Sequence, residues 1–107
     1  MEKWNNETTE ELWSAICALE NKNEAKKFFR DLLTPKEIIE FSKRWQVARM
    51  LNKKVSYSEI EKRTGLSSTT VARVSQWLNR GMGGYKLIIS RFSTLHHNQS
   101  FMGRERL

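Results

Sequence analysis

Apolar residues recur along this chain at helical spacing, and each recurrence begins at a polar residue able to cap a helix. Leu12, Ile16 and Leu19, with Trp13 and Cys17 beside them, follow Thr8-Thr9-Glu10-Glu11. That tetrad reads as a capping box and predicts a first helix to about Glu20. Asn21-Lys22-Asn23 interrupts the pattern, and Asn23 is expected to cap a second helix with Ala25, Phe28, Phe29, Leu32 and Leu33 on one stripe. Thr34-Pro35-Lys36-Glu37 is the clearest start. Thr34 serves as N-cap, Pro35 takes the first helical position where its missing N–H is no loss, and Glu37 closes the box. This third helix is predicted to reach about Asn52. Its apolar residues, among them Ile38, Ile39, Phe41, Trp45, Val47, Met50 and Leu51, cover more than one face. Several neighbours must bury such a helix, a second subunit being one candidate.

Residues 56–79 then read as a helix-turn-helix. Ser56 and Glu59 form a capping box for a short helix from about Tyr57 to Arg63. Gly65 supplies the positive φ that a tight turn needs. Ser67 is a good N-cap for a second helix from about Ser68. Ile60, Leu66, Val71, Val74 and Leu78 would pack the two helices on one core, leaving Ser68, Thr69, Thr70, Arg73 and Gln76 on the opposite face. Hydroxyls, an arginine and an amide without an acid suit base edges and phosphates. An αα-hairpin in a helical interaction module is the competing reading of the same pattern.

Three glycines among residues 81–84 forbid a continued helix. No strand precedes them and no Walker-type lysine follows, so a nucleotide loop is disfavoured. A last helix is expected from Tyr85 to Phe92, with Leu87, Ile88 and Ile89 buried. Residues 1–92 are thus expected to form one six-helix, all-α domain, and residues 93–107 a disordered tail. His96 and His97 in that tail are adjacent, with no Cys or acidic cluster to complete a metal site.

The chain has 107 residues and a net charge of +7, with an isoelectric point near 9.9. The charge is uneven. Residues 34–92 hold 12 Lys/Arg against 4 Asp/Glu, whereas residues 1–33 hold 5 against 7. The excess falls on the helix-turn-helix segment, as an electrostatic footprint for nucleic acid would. Lys53, Lys54, Lys62, Arg63 and Arg80 are the residues expected beside phosphates. Cys17 is the one cysteine, which excludes an intrachain disulfide and makes the cytoplasm the expected location. No apolar run is long enough to suggest a membrane span. No Ser/His/Asp or Cys/His set and no paired carboxylates suggest an enzyme.

Two stretches, LLTPKEIIEFSKRWQVARML and SYSEIEKRTGLSSTTVARVSQWL, resemble the tryptophan repressor superfamily, and within it the Trp-repressor-related branch of YerC/YecD type. The resemblance covers about residues 12–92 and implies an all-helical, interwound homodimer presenting one helix-turn-helix per subunit. It implies a sequence-specific transcriptional regulator, a repressor, whose partners are a double-stranded DNA operator and a second copy of itself. Tryptophan-responsive members hold the ligand's indole between two arginines, and the matching residues here are Arg44 and Arg73. A phosphate contact or an ion pair with Glu40 is the plainer role for Arg44. The residue after the second arginine is glycine in those members and Val74 here, and a serine that helps hold the ligand amine is replaced by Trp77. Both changes add bulk. The expectation is therefore that tryptophan neither binds tightly nor is needed for DNA binding, while another amino-acid effector stays open and no cofactor is implied.

Overall fold

The computed structural model describes residues 3–93, and its helices begin where a side chain takes up an orphan backbone N–H. Helix α1 (Glu7–Cys17) is capped by Asn6, whose side chain accepts from the Thr9 N–H at 3.0 Å while the Asn6 N–H donates to Thr9 Oγ1 at 2.9 Å. The box thus lies two residues before the expected Thr8, because Asn caps as well as Thr and Thr9 can return the bond. The helix also stops short of Glu20: the Ala18 N–H is shared between Ser14 O and Ala15 O, and the Glu20 N–H donates to Glu24 Oε1. Helix α2 (Lys22–Leu32) is capped by Asn21 through the Glu24 N–H, not by Asn23. Helix α3 (Pro35–Asn52) starts with the expected box, Thr34 Oγ1 accepting from Glu37 N–H at 3.1 Å and Glu37 Oε1 from Thr34 N–H at 2.9 Å.

The chain divides into two compact units, Met1–Glu40 and Phe41–Leu107. In the first, neither α1 nor α2 fully buries a residue, and Trp13, Leu32 and Ile39 stay 42–57% exposed. In the second, Val47, Ala48 and Met50 of α3 meet Ile60, Val71 and Val74 of the two following helices in one core cluster. Val47, Ile60, Val71 and Val74 are wholly buried, each burial contributing about 1.5–3 kcal/mol as an upper figure.

Between α3 and α4 (Tyr57–Thr64) the chain turns on Lys54, which has φ +65°. The Val55 N–H donates to Met50 O and the Lys54 N–H to Leu51 O. This is a Schellman ending, with Val55 packed on the core as its apolar partner and a lysine where glycine is usual. Helix α5 (Ser68–Arg80) ends at Gly81, where a Cβ would lie 2.3 Å from the Trp77 carbonyl oxygen. A last helix, α6, spans residues 84–93.

In α6, Tyr85 and Ile89 pack against the core and Phe92 meets Trp45. Leu87 and Ile88 are 50% and 38% exposed, contrary to expectation. Three successive residues cannot share one face of a helix, and it is Tyr85 and Ile89, one turn apart, that face inward. Among the described residues there are six helices and no strand. The expected disordered tail, with His96 and His97, lies outside the described residues, apart from residue 93, which closes α6.

Candidate nucleic-acid interface

Helices α4 and α5 are fixed to each other by a turn in which the polar groups have partners. Ser56 caps α4 by accepting from the Glu59 N–H at 3.2 Å, but the expected box stays half formed because the Glu59 carboxylate turns to Arg63 one turn on. Gly65, at φ +74°, ends α4 and donates its N–H to Glu61 O. Thr64 is buried there: its hydroxyl donates to Ile60 O at 2.7 Å and accepts from the Leu66 N–H at 3.2 Å. A threonine at the end of an amphipathic helix reads as surface in the sequence, so this brace was not legible. Ser67 caps α5 by accepting from the Thr70 N–H at 3.2 Å.

The core residues Val71, Val74 and Leu78 occupy one side of α5. Thr69, Arg73, Gln76 and Arg80 are exposed, and their spacing places them on one stripe away from the core. Ser68 is also exposed, at the first position of the helix. Thr70 is different. It is half-buried, with its hydroxyl 3.1 Å from Ser67 Oγ, so it serves the cap. Lys53, Lys54 and Lys62 are exposed. Arg63 is exposed too, but its Nε donates to Glu59 Oε1 at 2.9 Å. A pair this open to solvent is worth about 0–1 kcal/mol and yields readily to a phosphate.

Arg44 and Arg73 have different surroundings. Arg44 is half-buried, its guanidinium carbon 5.5 Å from the Phe41 ring centroid and 5.9 Å from that of Trp77. Arg73 is exposed on α5. Val74 belongs to the core, so it does not stand at the rim of an open slot. The ring on Arg44 is Trp77, itself 41% exposed. Trp77 also borders an open, mainly apolar groove of about 580 Å³, with Trp45, Met82, Tyr85 and Ile88. Tyr85 stacks on Trp45 at 6.3 Å and 19°. Burial pushes the Tyr85 phenol above its usual pKa, and the nearby Arg44 charge pulls it the other way. On the other flank of α5, Lys54, Tyr57, Ser75, Asn79 and Lys86 line a polar cleft of about 490 Å³. Tyr57 and Lys86 were not among the residues singled out from the sequence. Lys86 offered only its charge as a signal.

A capped, buried two-helix core that leaves one polar stripe of its second helix outward is the construction of helix-turn-helix proteins. Residues 7–93 match the model of the Trp repressor protein family, and the chain belongs to that family. Proteins of this family are regulators rather than enzymes. The chain is 35% identical over 91 residues to YerC of Bacillus subtilis strain 168, an uncharacterized protein, covering 85% of this chain and 88% of the relative. A TrpR-like protein from Eubacterium eligens ATCC 27750 superposes with a TM-score of 0.80 at 37% identity, over 85% of this chain and 94% of that one. A candidate Trp repressor from Staphylococcus aureus gives 0.79 at 38%, over 85% and 91%. Among the described residues, no helix is long and apolar enough to cross a membrane.

Proposed function

We propose that this protein is a sequence-specific transcriptional regulator, a repressor, that binds double-stranded DNA as a homodimer in the cytoplasm. The observation that carries this reading is the exposed stripe of Thr69, Arg73, Gln76 and Arg80 on α5. An arginine and a glutamine there can each form paired hydrogen bonds to base edges in the major groove, and each good pair discriminates by about 1–3 kcal/mol. Ser68 lies nearest the helix N-terminus, and Lys53, Lys54, Lys62, Arg63 and Arg80 are the phosphate contacts. Thr70 acts by holding the helix start.

The dimer is supported by the apolar side chains left in water by a single chain. Trp13, Ile39, Phe41, Leu87 and Phe92 are each 42–57% exposed, and a partner subunit would take such groups out of water. A two-fold dimer calls for a pseudo-palindromic operator with half-sites about 34–36 Å apart, one helical turn. DNA binding is also taken to be independent of tryptophan, because Arg44 already carries the ring of Trp77.

Selection of duplexes from a random pool by the purified full chain, at several salt concentrations, tests the assignment. The expected result is a pseudo-palindromic motif whose affinity falls steeply with salt. The absence of any enriched motif, or binding indifferent to salt, would sink it.

A further inference from the structure

The polar cleft beside α5 lies on a different flank from the groove bordered by Trp77, and the candidate base-reading residues do not line it. Its cationic groups come from two places: Lys54 in the turn before α4, and Lys86 on α6. Tyr57 adds a phenolic O–H from the first position of α4. Ser75 and Asn79 come from α5. Asn79 donates from Nδ2 to Ser75 O at 2.9 Å and lies 3.5 Å from Ser75 Oγ, so that hydroxyl accepts and keeps its own proton to give. Among the described residues, none that lines the cleft is an acid. A cleft of about 490 Å³ lined by two lysines, a tyrosine and a serine, with no carboxylate among its described lining residues, has the chemistry to take a multiply charged oxyanion.

Lys54 gives a second and independent reason. Its backbone is held at φ +65°, a conformation that glycine adopts without cost and a lysine does not. A glycine would satisfy the turn better. A lysine there is a charge placed at this cleft against the preference of its own backbone.

We propose that this cleft binds a phosphate group through Lys54 and Lys86, with Tyr57 and Ser75 donating to its oxygens. The phosphate belongs either to the DNA backbone flanking the operator or to a small phosphorylated molecule. Only the first source rests on the DNA-binding reading.

Two measurements on the full chain and on Lys86→Ala decide it. One is amide-resolved NMR titration with inorganic phosphate against chloride of equal ionic strength. The other is the salt dependence of binding to the selected duplex. Saturable shifts confined to the cleft residues, lost in Lys86→Ala, support the proposal. If Lys86→Ala also lowers the slope of log affinity against log salt by about one, the phosphate is that of DNA. A slope lowered in this way without free-phosphate shifts assigns the cleft to DNA alone. Shifts with an unchanged slope assign it to a small molecule. No saturable shift together with an unchanged slope overturns the proposal. Should the chain bind no DNA at all, the regulator reading fails, and the phosphate titration alone decides the cleft.

Discussion

The Arg44 guanidinium lies against the indole of Trp77, carbon to ring centroid 5.9 Å, joining the long helix α3 to helix α5. Phe41 offers a second ring to the same guanidinium at 5.5 Å. With both rings partly open to solvent, each such contact contributes about 0.5–1 kcal/mol. The contact with Trp77 also fixes the roll of α5, because Trp77 sits on the same helix as Arg73 and Gln76.

Changing Trp77 to Ser removes that ring and opens the space beside Arg44. The variant should fold but bind the selected duplex more weakly. Calorimetry should detect no tight binding of free tryptophan by the natural protein. Micromolar tryptophan binding that tightened DNA affinity, or a Trp77→Ser variant with unchanged DNA affinity, would show that Trp77 has no such role.

Lys54→Gly should separate stability from binding. Relief of the left-handed lysine returns about 1–2 kcal/mol, and the greater freedom of glycine in the unfolded chain takes back about 0.5–1 kcal/mol. A small gain in denaturation midpoint should therefore accompany weaker DNA binding and a salt slope lowered by about one. A loss of both stability and binding would mean that the lysine side chain supports the fold.

Thr64→Val keeps the shape of a buried side chain and removes its hydroxyl. The Leu66 N–H then has lost its acceptor at the centre of the turn. The expected cost is about 1–3 kcal/mol, read as a fall in melting temperature, with Thr64→Ser retaining most of the stability. Equal melting temperatures for Thr64→Val and the natural protein would show that the brace is not needed.

Tyr85 offers a prediction in pH. Its pKa is raised in the folded protein by burial. The folded state therefore favours the neutral phenol. The stability this contributes is fully present below the ordinary phenol value of about 10 and is lost as pH rises through the raised folded value. The difference in phenolate absorbance between the natural protein and Tyr85→Phe isolates this residue, and it should titrate above the ordinary value. A midpoint at or below that value would contradict the partial burial of the phenol against Trp45.

Much of this fold can be read from local chemistry, because local chemistry decides it. Thr34, Gly65 and Ser67 sit where their side chains or backbones are needed within a few residues and act as the sequence predicts, while Ser56 caps its helix without the return bond from Glu59, whose carboxylate Arg63 holds. Asn6 displaces Thr8 because two similar caps compete within one turn, and a single strand of text does not rank them. Lys54 in a left-handed turn is invisible to a reading that looks for glycine there. Leu87 and Ile88 look buried because they are apolar, yet the register of α6 is set by Tyr85 and Ile89 finding the core. The candidate interface divides in the same way. The exposure of Thr69, Arg73 and Gln76 follows from helical period alone, whereas Arg44 meeting Trp77 and Lys54 sharing a cleft with Lys86 depend on how the helices pack.

On α5, the residues that hold the helix to the protein and those offered to a partner form separate stripes. Val71, Val74 and Leu78 fix the helix, and none of them borders the outward row of Thr69, Arg73, Gln76 and Arg80 as a neighbour along that row. Surface substitutions away from caps and cores usually move stability by less than about 0.5 kcal/mol. The outward row can therefore be rewritten residue by residue while the domain stays folded. In evolution or in the laboratory, a chain built this way can move to a new target without first passing through an unstable ancestor.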